Sequence, residues 1–335
     1  MQMTLPANLY RDRQAYDRER EGVFASGWQF LGHEHETPSP GDLVAGDAAG
    51  WPVLAVRGTD GSLRGFHNVC RHRAGPLAAD GPGHCGAELT CKYHGWRYAL
   101  DGRLRSAVDF GQAPGFDPRE FGLHPVRVET WRGFIFVNVD QNAPPLAELT
   151  APLDSLFEAK GVAAAKGTLR RSHDLACNWK AYVENYLEGY HIPVVHPNLA
   201  SEVDAANYRV RMDGAAAIHE VPTKSGVNDG LWVWLWPNLA FNVYRYGLMV
   251  EHMRPMGHDR TRLDYLYFYD PATADLDAVL AASDQLTRED KWICEAVQRN
   301  LNAGVYQTGV LSPRHEAGVA WFQAQIAKVH VMDEV

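Results

Sequence analysis

Cys70-Arg71-His72 and Cys91-Lys92-Tyr93-His94, with eighteen residues between His72 and Cys91, constrain this chain more than any other feature. Each pair sets one thiolate and one imidazole a few residues apart, a spacing that a loop can close onto one centre. Thiolates on one iron and imidazoles on the other are the ligand set of a mixed-donor [2Fe–2S] cluster. Neutral imidazoles in place of thiolates remove negative charge and raise the reduction potential, which suits relay of electrons to an oxygen-activating centre. A structural Cys₂His₂ zinc site keeps its two Cys together and its two His together. Here each pair holds one of each. The second pair runs on through C-K-Y-H-G-W-R-Y to Asp101-Gly102, a strong hairpin signal.

The remaining cysteines, Cys85, Cys177 and Cys294, form no C-x-x-C pair. His84-Cys85 follows Gly81-Pro82-Gly83 and reads as a loop tip rather than a ligand pair. Five cysteines without a signal peptide predict free thiols and a reducing cytoplasm. Rieske proteins of respiratory complexes carry an extra disulfide that starts three residues after the first ligand His. That place is Gly75 here, so the segment resembles the Rieske domains of oxygenases and their ferredoxins.

A net charge of −9 argues against nucleic acid or an anionic membrane surface as a partner. With 46% hydrophobic residues the chain can build sizeable cores, and its length suits about two domains. The longest apolar-rich stretch, Leu231–Phe241, is broken by Pro237 and Asn238 and is too short to span a bilayer. The one compositional bias is a short alanine run at Ala163–Ala165. A soluble protein is expected.

Punctuation divides the chain into 1–40, 41–142 and 143–335. The first part is an N-terminal helical segment, with a polar helix over Pro6–Ser26 and charge at every position from Asp17 to Glu21; it is expected to pack on the last part. The middle part is a small β domain: Pro52–Arg57 is extended, Gly58–Gly61 turns, Ser62–Phe66 returns, and Trp131–Val139 closes it. Asn142-Ala143-Pro144-Pro145 reads as a linker. Beyond it, Cys177–Tyr190 predicts a helix stopped by Pro193, and Leu231–Tyr246 and Thr261–Tyr269 alternate as antiparallel strands. Ser283–Leu301 predicts a longer helix. Together these give an α+β domain whose helix covers one sheet face.

N-W-K-A-Y-V-E-N-Y-L-E-G-Y-H-I-P-V-V-H-P carries a second constellation. Glu184, Glu188 and His191 fall at i, i+4 and i+7 along one helical face. His196 lies beyond Pro193, where the chain can fold back toward His191. Two imidazoles and one carboxylate on one side of an iron leave positions open for O₂ and substrate, as in the facial triad of non-haem Fe(II) oxygenases. Zinc is the competing metal, but a redox-inert ion has little use beside a redox cluster. The acid must come from the C-terminal helix, which offers Asp284, Glu289 and Asp290. Asp290 shares a face with Leu286, Ile293 and Val297, so it points inward and needs a cation. Asp284 shares its face with Arg288, Lys291 and Glu295, a stripe suited to surface pairing. Asp290 is the first choice and Glu289 the second. Glu188 precedes His191 by three residues and can accept the imidazole N–H that faces away from the metal. Asn185 joins Glu188 as a catalytic candidate.

F-H-N-V-C-R-H-R, C-K-Y-H-G-W-R-Y, the N-W-K…V-H-P segment and E-D-K-W-I-C-E-A-V-Q-R-N-L together resemble the α subunit of a Rieske non-haem iron oxygenase over nearly the whole chain. The resemblance implies a Rieske domain, then a helix-grip (START-like) catalytic domain with an antiparallel sheet and a long C-terminal helix. It implies a cluster on Cys70, His72, Cys91 and His94 and a mononuclear Fe(II) on His191, His196 and Asp290. It also implies O₂ as oxidant, a separate flavin and iron–sulfur reductase acting directly or through a ferredoxin, and a head-to-tail homotrimer. In that assembly Glu188 would bridge His191 to His94 of the neighbouring subunit and carry electrons between the two centres. Within the family the resemblance is to the choline, glycine betaine and carnitine monooxygenases. Glu188 stands where many ring-hydroxylating members have Asp.

Trp232, Trp234 and Trp236 alternate at period two, and Phe241, Tyr244 and Tyr246 follow. Trp232, Trp234 and Tyr244 are the candidate substrate-pocket residues, because aromatic rings bind a trimethylammonium group by about 0.5–2 kcal/mol each. The bland reading is the core of a half-buried sheet. A monooxygenase that hydroxylates or N-demethylates a small organic substrate, such as a quaternary ammonium compound, is the leading expectation. An aromatic-ring dioxygenase forming cis-diols is the alternative within enzymes. A Rieske electron-transfer protein is the alternative outside them, and the region after the linker with its own His/His/Asp set speaks against it.

Overall fold

The structure, a computed structural model, describes residues 1–159, 169–224, 231–244, 247–269 and 275–331. Two compact units emerge: Phe24–Glu148, and Met1–Val23 together with Leu149–Val335. The sequence-based divisions at 40 and 142 both fall inside the smaller unit. Residues 24–40 belong there because their strand pairs with the hairpin that closes the domain.

That unit holds β1 (Gln29–His33), β2 (Asp42–Ala48), β3 (Trp51–Arg57), β4 (Leu63–His67), β5 (Gly81–His84), β6 (Glu88–Thr90), β7 (Arg97–Ala99), β8 (Leu104–Ser106), β9 (Pro125–Trp131) and β10 (Phe134–Asn138). Seven form one sheet in the order β1-β10-β9-β4-β3-β2-β5, and β6-β7-β8 form a second. Trp131–Val139 is not one strand. Arg132 (φ +51°) and Gly133 (φ +85°) make a two-residue turn between β9 and β10, the geometry that matches the twist of a hairpin. Leu54, Val56, Leu89, Trp96 and Tyr98 form a core that includes Cys70 and Cys91.

The larger unit holds α1 (Arg13–Glu19), α2 (Leu146–Ala159, which begins in the smaller unit), β11 (Leu169–Leu175), α3 (Trp179–Tyr186), α4 (Ile192–Val195), α5 (Pro197–Glu202), β12 (Arg209–Asp213), β13 (Ala216–Glu220), β14 (Leu231–Leu235), β15 (Leu239–Tyr244), β16 (Gly247–Gly257), β17 (Arg260–Tyr269), α6 (Leu276–Asn302) and α7 (Ala317–Val331). Its sheet is antiparallel throughout, in the order β11-β17-β16-β15-β14-β13-β12. The predicted strand Leu231–Tyr246 is therefore a hairpin, β14 and β15; Tyr246 and Ala163–Ala165 lie outside the described residues.

Register separates the two faces. Val233, Phe241, Val250 and Leu266 pair across four strands on one face, and Phe157 of α2 meets Phe241 edge-on at 5.4 Å. Trp234, Ala240, Glu251 and Tyr265 pair on the other. There Tyr182 of α3 bonds Glu251, Thr287 of α6 bonds Tyr265, and Phe322 of α7 meets Trp234. Helices thus cover both faces, an α+β helix grip. α6 begins at an Asp275 cap that accepts from Ala278 N at 3.1 Å, well before Ser283. Among the described residues no helix is long and apolar enough to cross a membrane.

The N-terminal segment is tied in by a buried acid. Glu19 is 0% exposed and accepts from Lys180 Nζ (2.7 Å) and Trp179 Nε1 (2.8 Å), with His330 Nε2 at 3.1 Å. Lys180 is also 0% exposed. Removing one partner of such a pair strands the other charge, at a cost of about 3–5 kcal/mol. Glu19→Ala should therefore lower the thermal midpoint by many degrees in a calorimetric melt, and an unchanged midpoint would show that Lys180 finds another partner.

Candidate metal centres

In the smaller unit two loops of like construction present the first ligand set. In one, Ala74 N donates to Cys70 O (3.0 Å) and Cys70 N to Gly75 O (2.9 Å). In the other, Gly95 N donates to Cys91 O (3.1 Å) and Cys91 N to Trp96 O (2.8 Å). Lys92 N donates to Pro76 O (3.0 Å) and locks the two together. Each turns through a left-handed residue, Ala74 (φ +54°) and Gly95 (φ +71°). A side chain at Gly75 would meet Cys91 Sγ at 2.8 Å, so the loops close only around a glycine there.

The side chains converge. Tyr98 Oη lies 3.1 Å from Cys70 Sγ and accepts from Arg71 N at 3.1 Å. The His72 and His94 rings lie 4.7 Å apart, and His72 stacks on Trp96 at 4.9 Å. Burial pushes the Cys70 thiol up, with Cys91 beside it adding to the shift and Tyr98 opposing it. His72 Nδ1 is buried with no hydrogen-bond partner. Two buried thiols and an orphaned imidazole nitrogen are a donor set that a metal cluster satisfies. Cys85 instead points its Sγ at Gly41 O (3.2 Å).

In the larger unit α3 starts at Asn178, whose Oδ1 accepts from Lys180 N (3.0 Å), and ends at Tyr186. The predicted helix over Cys177–Tyr190 is thus shorter, and the expectation that Glu184, Glu188 and His191 share one helical face is overturned. Gly189 packs so closely on the Tyr208 ring that a Cβ there would lie 2.6 Å from it. Glu184 stays on α3 and accepts from Tyr10 Oη at 2.6 Å, while burial pushes its pKa up to about 7. Glu188 lies in the break. Its Oε1 sits 2.5 Å from His191 Nδ1, and its Oε2 accepts from Tyr190 N and His191 N.

His191 opens α4, and His196 stands between α4 and α5. Ligand atoms of His191, His196 and Asp290 lie within 4.8 Å of one another. His196 Nε2 is 3.1 Å from His191 Nε2 and 3.0 Å from Asp290 Oδ1. Asn185 Nδ2 donates to Asp290 Oδ1 at 2.7 Å. Burial opposes charging of His196, but bonds to Asp290 and Glu289 outweigh it and raise its pKa. Asp290 faces inward, though not among the neighbours expected. Thr287 and Cys294 are its buried companions on α6, and Val297 is 42% exposed. Glu289, the second-choice ligand, instead places Oε2 2.8 Å from His196 Nδ1. The acid beside Asp290 was the available signal for this role. Asp284 pairs with Arg171 at 2.9 Å on the surface.

The three indoles diverge. Trp234 is fully buried and packs on Trp321 and Phe322, as does Trp236. Trp234, a candidate pocket residue, is therefore core, because α7 covers that end of the sheet. Trp232 packs instead with Ile192, Val203, Tyr208 and Val221 beside the His191–His196 segment. Tyr244 lies at the end of β15, paired with Gly247.

The Ring hydroxylating alpha subunit (catalytic domain) family matches residues 162–330, and the Rieske [2Fe-2S] domain family matches residues 27–117. The chain belongs to the Rieske non-haem iron oxygenases as an oxygenase α subunit, with a Rieske [2Fe–2S] cluster and a mononuclear iron as cofactors. It is similar to the chloroplastic choline monooxygenase of Beta vulgaris, 32% identical over 96% of this chain and 75% of that protein. It is similar too to the carnitine monooxygenase oxygenase subunit of Escherichia coli K12, 31% identical over 97% and 93%. A quaternary ammonium Rieske monooxygenase solved in complex with L-carnitine superposes with a TM-score of 0.87, 29% identity, and coverage of 98% of this chain and 96% of that one.

Two predictions separate the centres. His72→Ala should abolish the visible and EPR signature of the Rieske cluster, and an intact spectrum would remove His72 from the ligand set. Asp290→Ala should lose the mononuclear iron outright by elemental analysis while the cluster spectrum survives. Glu289→Ala should only weaken iron retention, by about 10–100-fold against a chelator. The reverse ranking would exchange the roles of the two acids.

Proposed function

We propose that this chain is the terminal oxygenase of a multicomponent system that hydroxylates or N-demethylates a small quaternary ammonium compound. Electrons would come from a separate flavin and iron–sulfur reductase in the cytoplasm. Cys70 and Cys91 would hold one iron of the cluster and His72 and His94 the other. His191, His196 and Asp290 would hold the mononuclear iron. When bound, that iron supplies activation of O₂, and the cluster supplies electrons.

The observation that carries this reading is the convergence of His191, His196 and Asp290 with a carboxylate behind each imidazole. Glu188 and Glu289 accept from the Nδ1 atoms and so fix the tautomers, leaving both Nε2 atoms free to ligate. Asn185 holds Asp290 Oδ1 and sets the direction of the third donor. The likeness to choline and carnitine monooxygenases supports the substrate class.

Glu188 would further link the centres across a subunit boundary in a homotrimer, meeting His94 of the neighbouring subunit. Next to it Tyr190 is 58% exposed and Val194 86%, an apolar surface suited to burial by another subunit. Glu188→Gln should keep both metals and substrate binding yet slow turnover by orders of magnitude. Single-turnover reoxidation of the reduced cluster by O₂ with substrate measures this, and a wild-type rate would remove the bridge.

A further inference from the structure

Glu251 stands on β16, on the sheet face beneath α3 and α6, and is 4% exposed. Tyr182 Oη donates to it at 2.7 Å and Tyr265 Oη at 3.4 Å. Burial is the largest influence on its carboxyl and raises its pKa, and Asp290 raises it further. Tyr182, Tyr265 and Asn242 oppose this, and the outcome is a pKa of about 7. Among the described residues, no positive group is among the main influences on Glu251, Tyr182, Tyr186, Tyr208 or His219. Glu19, equally buried in the same unit, has Lys180. A buried carboxylate with only neutral partners either takes up a proton or pairs with a cation brought to it.

A second observation comes from the same face. His219 and Trp232 pair directly across β13 and β14. His219 Nε2 and Trp232 Nε1 are both buried with no hydrogen-bond partner, a rare condition in a folded interior. His219 Nδ1 lies 2.5 Å from Tyr208 Oη, and burial drives its pKa down to about 3, so the ring is neutral. With Tyr208 donating to Nδ1, both orphans are N–H donors in want of an acceptor. The Tyr186 ring meets His219 at 5.1 Å, and its hydroxyl donates to Asn242 Oδ1 at 2.8 Å, so tyrosines bridge this pair toward Glu251.

We propose that Glu251 is the counter-ion for the substrate's ammonium headgroup and that His219 and Trp232 receive its neutral polar end, so that the site selects a quaternary ammonium alcohol. The proposal rests on the quaternary ammonium reading above and deepens it. Tyr182 and Tyr265 flank the charge, and such rings add cation–π attraction. A carboxylate-bearing betaine would bring its acid to the neutral His219 and Trp232, with no positive side chain among the main influences described there to balance it.

Calorimetric titration of the holoenzyme tests this with choline, its uncharged carbon isostere 3,3-dimethylbutan-1-ol, and glycine betaine. The wild type should prefer choline to both. Glu251→Gln keeps the shape and can still accept from Tyr182; it should lose about 30-fold or more in choline affinity, with isostere binding and the cluster EPR spectrum unchanged. Wild-type preference for choline that persists in Glu251→Gln would overturn the counter-ion alone. A wild type that binds the isostere as tightly as choline would overturn the counter-ion and the substrate class together. Betaine binding as tight as choline would overturn the choice of alcohol. Should the variant fail to fold, the wild type still decides.

Discussion

A carboxylate behind each imidazole is the interaction on which the catalytic unit depends. Glu188 on His191 Nδ1 and Glu289 on His196 Nδ1 turn both Nε2 atoms toward Asp290 Oδ1. That gathers three acids around two imidazoles, which is favourable only where a cation is to be held. The backbone is shaped to permit it. α3 stops at Tyr186, and Gly189 lets the chain pass against Tyr208. Glu188 can then turn back to cap Tyr190 N and His191 N with one oxygen while the other reaches the ring. Glu289 and Asp290 come from the middle of a 27-residue helix, the stiffest support in the unit.

Buried acids elsewhere in this unit are handled in different ways, and the differences sort structure from function. Glu19 has Lys180, Trp179 and His330, and it joins the N-terminal segment to α3 and α7. Glu184 has Tyr10 and Gln323, neutral partners that suit a carboxyl pushed to about 7. Glu251 also has neutral partners, but it shares its sheet face with unpaired donors and lies near enough to Asp290 to feel its charge. The face that carries Glu251 leaves buried polar atoms without a partner on His219, Trp232, Trp234 and Asn242.

Local spacing made the cluster ligands and the two histidines legible, because C-x-H, C-x-x-H and H-x₄-H each lie within one loop or turn. Long-range partners were harder. Helical periodicity turned Asp290 inward, yet the structure buries it between Thr287 and Cys294 rather than beside Val297. The phase of the buried stripe depends on the sheet beneath it, not on hydrophobicity alone. Glu188 and His191 were placed on the helical face of Glu184 because the helix was extended to Pro193, whereas it ends at Tyr186, before the close packing at Gly189. The Arg132-Gly133 turn was hidden inside an apolar run. β11 reads L-R-R-S-H-D-L and is mostly exposed, so no alternation marked it as a strand.

The tryptophans show why periodicity cannot separate a ligand-binding ring from a core ring. Trp232, Trp234 and Trp236 follow one two-residue rhythm, and Trp232 and Trp234 share a sheet face. What lies above them differs. α7 brings Trp321 and Phe322 down on Trp234 and Trp236, four rings meeting largely edge to face, as packed aromatics prefer. Trp232 lies beyond that helix, opposite His219 on one side and Asn242 on the other, and near the segment that carries His191 and His196. The indole N–H is without a partner in both Trp232 and Trp234, but Trp232 is only half-buried. The same residue type on the same strand is thus sealed among rings under α7 and more open where the strand passes the metal ligands. Topology makes that assignment, because α7 is the last element of the fold and its placement cannot be read from the strand it covers.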